Sequence, residues 1–93
     1  MEELMKTLEE ICLRFQKLNI PAKILGDSIT GFVSAGNDER GAEVHPDTEN
    51  STWILDPAEK NELLGEVEFS TLDEAIKAGI AWIRFGTKIT IMK

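Results

Sequence analysis

The chain has 93 residues, 42% of them apolar and 29% charged, a formal net charge of −7, one cysteine and one histidine. That describes a single domain, 1–93, near the small end of what folds without staples, and Cys12 alone excludes an internal disulfide framework. No apolar run approaches the roughly 20 residues of a membrane span, and acids stand where a signal peptide is basic, so a cytoplasmic protein without membrane association is expected.

Glu2 to Leu18 reads as an amphipathic helix, with Leu4, Leu8, Ile11, Phe15 and Leu18 on one stripe and Met5 and Cys12 at its edge. Glu2–Lys6 and Glu10–Arg14 are favourable i,i+4 pairs on the wet side, where Leu13 is an apolar exception. Pro21 ends the helix, because its ring disfavours helical geometry in the preceding residue. Ala22 to Leu25 and Ile29 to Ala35 then read as strands joined by a short turn at Gly26-Asp27-Ser28.

Gly36 to Gly41 is a turn cluster, Ala42 to His45 a short edge strand, and Pro46 to Ser51 a loop. Taken together, 36–51 is either a ragged hairpin or a functional loop. Thr52 to Leu55 is a strand. Asp56 to Gly65 reads as a short helix or, preferably, as a hairpin turn, since so short a helix has little to hold it. In the hairpin reading Leu63, Gly65, Val67 and Phe69 line one face of the returning strand.

A second helix begins at the Thr71/Glu74 capping box. Its apolar stripe is Leu72, Ile76, Gly79, Ile80 and Ile83, with Ala75 and Trp82 at the flank and an Asp73–Lys77 pair opposite. Gly86 is placed to stop it in a left-handed conformation, and 88–92 resumes the period of a strand. The expected fold is α+β, order α-β-β-(β)-β-β-α-β, with both helices on one face of a curled, mainly antiparallel sheet.

Charge is unevenly spread: residues 38–68 hold ten acids against Arg40 and Lys60, a local −8. Helix, three strands, helix is also the order of double-stranded-RNA-binding domains, but a middle segment this acidic repels a polyphosphate. Nucleic acid is therefore not an expected partner. Catalysis is not expected either, since no nucleophile stands by a motif near His45 and Cys12 sits at the edge of a helix stripe. Glycines show no phosphate-cradling spacing, and no cofactor is implied. Glu43, His45, Asp47 and Glu49 alternate in a way that can align metal ligands, but an acidic loop yields such patterns by chance, so no metal site is assigned.

Two functions remain. The first is a small acidic interaction module, of inhibitor or immunity type or an accessory of a mobile element. It would offer Asp38, Glu39, Glu43, Asp47 and Glu49 to a basic protein partner. The second is a small-molecule-binding homodimer, with Trp53, Phe69, Trp82, Phe85 and Leu13 forming an apolar pocket or the contact between copies.

Overall fold

The computed structural model describes residues 2–27 and 29–87, without the side chains of Glu2 and Glu3. The elements in chain order are α1 (Glu2–Gln16), β1 (Ala22–Leu25), β2 (Phe32–Gly36), β3 (Arg40–Asp47), β4 (Thr52–Glu59), β5 (Glu62–Leu63), β6 (Val67–Phe69) and α2 (Leu72–Phe85). The strands form one antiparallel sheet in the order β1-β2-β3-β4, with β5 and β6 both pairing with the far edge of β4. The strand expected over 88–92 lies outside the described residues.

Both helices pack on one face of this open sheet, as their single apolar stripes require. Val33, Val44, Leu55 and Val67 are register partners and make a row across β2, β3, β4 and β6. Leu8, Ile11 and Phe15 of α1 and Ile76 of α2 join them in the core, all with essentially no exposure. Gly79 lets the layers close: a Cβ there would stand 3.4 Å from both Phe15 and Leu55. Arg14 of α1 also bonds Asp73 in the first turn of α2 at 2.8 Å, in place of the expected Glu10–Arg14 pair. No helix among the described residues is long and apolar enough to cross a membrane.

Local signals in α2 act as read. The Thr71 hydroxyl accepts from the Glu74 amide, Asp73 pairs with Lys77 at 3.3 Å, and Gly86 closes the helix at φ 66°. Arg40, at the start of β3, reaches across and donates from Nε to the Ile83 carbonyl, placing positive charge at the negative end of the helix.

Four expectations are corrected. The second strand begins at Phe32 rather than Ile29, because Asp27 Oδ1 accepts from the amides of Ile29 and Thr30 and folds them into a turn. Ala42 to His45 belongs to an eight-residue strand between β2 and β4 and is not an edge. Similarly, β4 continues past Leu55 to Glu59; a turn at Lys60-Asn61 then returns the chain, so the preferred hairpin over 56–65 is what forms. The returning strand does not keep one face. Leu63 pairs with Ala58 while Val67 pairs with Leu55, so four residues oppose three and a bulge lies at Leu64-Gly65-Glu66. The extra residue leaves Leu63 60% exposed and Val67 2% exposed.

Candidate functional site on the open face of the sheet

Strand alternation sends Leu55 and Val44 to the helices and their neighbours to the other side. That uncovered side carries Lys23, Ser34, Glu43 and Asp56 as successive register partners across β1 to β4. Were the β5–β6 strand regular, Glu66 would lie opposite Leu55 and point at the helices. The bulge displaces it by one position, so Glu66 comes beside Asp56 instead. Glu43, Asp56 and Glu66 therefore run side by side across β3, β4 and the bulge before β6, an arrangement that like-charge repulsion opposes.

Asp56 is the centre of this row and is only 7% exposed, a rare state for a carboxylate. Burial pushes its carboxyl above the usual carboxylate range. His45 opposes that shift, and the charges of Glu66 and Glu43 add to it. His45, two residues from Glu43 on the same face of β3, brings Nε2 to 3.3 Å from Asp56 Oδ2. Its other nitrogen, Nδ1, lies 3.3 Å from the Pro46 carbonyl oxygen. Both ring nitrogens thus face oxygen atoms, with Nε2 towards the carboxylates. One donor atom each from His45, Asp56 and Glu66 lie within 4.8 Å of one another.

The group borders a cleft of about 620 Å³. The cleft opens where β2 and β3 part: their pairing ends at Val33–Val44, and Pro46 beyond it has no amide hydrogen to continue a ladder. Leu4 and Thr7 of α1, the turn from Ile29 to Phe32, and Trp53 form the rest of its wall.

The sequence-selected acids are strung out rather than gathered. Asp38 and Glu39 sit in the β2–β3 turn, Glu43 in mid-strand, and Asp47 and Glu49 at the opposite end of β3. At about 3.3 Å per residue, the two ends of this eight-residue strand are roughly 23 Å apart. Asp47 Oδ1 accepts from the amides of Glu49 and Asn50, so this carboxylate organises its own turn. Of the alternating set Glu43, His45, Asp47 and Glu49, the structure brings Glu43 and His45 to one place and supplies their companions from other strands. Asp56 and Glu66 were missed as site residues, because nothing local marks a bulge that redirects position 66.

The apolar candidates divide in the same manner. Trp82 is buried, and its Nε1 donates to the carbonyls of Gly41 (2.9 Å) and Ala58 (3.2 Å), pinning α2 to one end of the β3–β4 pair. Trp53 and Phe69 are register partners at the other end of β4, both packed against the core. Leu13 and Phe85 are exposed, at 54% and 73%.

These features define an open-faced α+β protein with a buried acid at the middle of its uncovered sheet. Comparison of the chain with protein-family models, with curated proteins and with solved structures gives no match.

Proposed function

We propose that the protein is an interaction module whose uncovered sheet face receives a basic protein partner. The observation that carries this reading is the segregation of the two sheet faces. One is sealed by the helices, while the other carries Glu43, Glu66 and Glu68 around the buried Asp56, between acidic turns at both ends of β3. Lys23 at the β1 edge and His45 stand against these carboxylates. Such a surface raises the encounter rate with a positively charged cleft and selects against acidic competitors. The basic cleft of a nucleic-acid enzyme is a fitting target, which makes an inhibitor or immunity-type protein the specific form of this proposal.

The test uses Asp38→Lys, Glu39→Lys and Glu49→Lys together, three exposed positions in turns. Affinity capture from the source cell at low and high salt is run with both proteins, after circular dichroism shows that the variant is folded. The wild type retains a basic protein that salt releases, and the variant binds it with an association rate about tenfold or more lower and a flatter salt dependence. Equal rates and equal salt slopes for the two proteins overturn the reading.

A further inference from the structure

We propose that His45, Asp56 and Glu66 form a binding site for a divalent transition-metal ion, with Glu43 as a further carboxylate beside it. This goes beyond partner recognition and does not depend on it. Two strands and a bulge contribute: His45 from β3, Asp56 from β4, and Glu66 from the bulge preceding β6.

The histidine supplies the first argument. His45 Nε2 lies 3.3 Å from Asp56 Oδ2 while Nδ1 lies 3.3 Å from the Pro46 carbonyl oxygen, so both ring nitrogens face oxygen atoms. A neutral imidazole has one N–H for these two oxygen contacts, so the other contact is filled by a further proton or by a metal ion. Anchoring of the distal ring nitrogen by a backbone carbonyl is how proteins commonly orient a metal-binding imidazole.

The second argument is Asp56. Its carboxylate is buried, and among the described residues its hydrogen-bonding partner is His45, a member of the same group. Buried charges are ordinarily paired or bound to metal, and here two more carboxylates press on the same point. A divalent ion neutralises the row that β-sheet pairing would otherwise disfavour.

Geometry and chemistry narrow the ion. Metal–ligand bonds of about 2.0–2.2 Å in a tetrahedral site place neighbouring donors about 3.3–3.5 Å apart. The His45–Asp56 spacing of 3.3 Å already meets this. All three donors lie within 4.8 Å of one another. Glu66 is exposed and has to close by at most about 1.5 Å, within reach of a side chain that can change rotamer. One imidazole with carboxylate oxygens suits Zn²⁺ or Mn²⁺ better than Mg²⁺ or Ca²⁺, which favour all-oxygen shells. The cleft beside the group gives the ion a path in and room for a water.

The test is titration of the purified full chain, freed of metal by chelation, with Zn²⁺, Mn²⁺, Mg²⁺ and Ca²⁺, followed by calorimetry and by NMR. His45 is the one histidine of the chain, so its ring resonances report on the site without overlap. Zn²⁺ binds with 1:1 stoichiometry, moves the His45 Nε2 resonance and raises the melting temperature, as any ligand of the native state does. Mg²⁺ and Ca²⁺ do neither. Glu66→Gln, at an exposed position that leaves the fold intact, weakens Zn²⁺ about tenfold or more, and His45→Gln abolishes saturable binding. The triple variant at Asp38, Glu39 and Glu49 keeps Zn²⁺ binding, which separates this result from failure of the partner proposal. Absence of saturable binding, or affinity unchanged in both Glu66→Gln and His45→Gln, overturns the site.

Discussion

Trp82 shows how much one side chain can decide in this fold. Its indole nitrogen reaches the carbonyls of Gly41 and Ala58, which face each other across the β3–β4 ladder, so a single donor ties a helix to two strands. Trp82→Phe keeps most of the apolar contact and removes the donor, leaving both carbonyls without it in a partly buried place. The expected loss is about 1–3 kcal/mol in urea unfolding. A change well below that range would mean that water replaces the indole at both oxygens. Asp56 is the contrasting case. It is a buried group that burial and its neighbours work against, and residues of that kind are retained more readily for binding than for stability.

At the scale of elements, the β4–β5 hairpin is held by a two-residue turn in which Lys60 and Asn61 both have positive φ, 53° and 69°. This is the mirror-image turn that matches strand twist, and it suits Asn-Gly better than Lys-Asn. Replacing the pair by Lys60→Asn with Asn61→Gly relieves a left-handed side-chain conformation at each position. Stability should rise by about 1 kcal/mol, seen as a higher urea midpoint at unchanged slope. A lower midpoint would show that the Lys60 side chain contributes more than its backbone costs. The bulge a few residues on works through register alone. One inserted residue keeps Val67 in the core and turns Glu66 out towards Asp56, so a backbone irregularity creates the candidate site.

For the molecule as a whole, the governing quantity is a charge of −7 on a body measuring 33 × 31 × 21 Å. The screening length falls from about 30 Å at 0.01 M salt to about 10 Å at 0.1 M, so at the lower value every carboxylate feels the others. The ion pairs among the described residues involve Asp73 and Asp56, which leaves most of the seventeen acids outside them. Raising sodium chloride over that range is expected to increase the urea midpoint, because self-repulsion is screened more than attraction is lost. A fall would place attraction ahead of repulsion across the surface.

The sequence by itself determined the helices, their caps and their apolar stripes, because a 3.6-residue period and a capping hydroxyl are local facts needing no partner. It also determined an acidic middle third, by counting, and the α+β layering that two one-sided helices demand. Strand pairing was legible only in part. Leu55 is apolar whichever strand it meets, but whether Glu66 points in or out depends on one unpaired residue in a bulge. Likewise His45 was visible as a solitary histidine, while its companions lie 11 and 21 positions away and are delivered by register. Only the tertiary structure decided that these groups meet, because a constellation drawn from two strands and a bulge is set by non-local hydrogen bonding that no stretch of chain encodes alone.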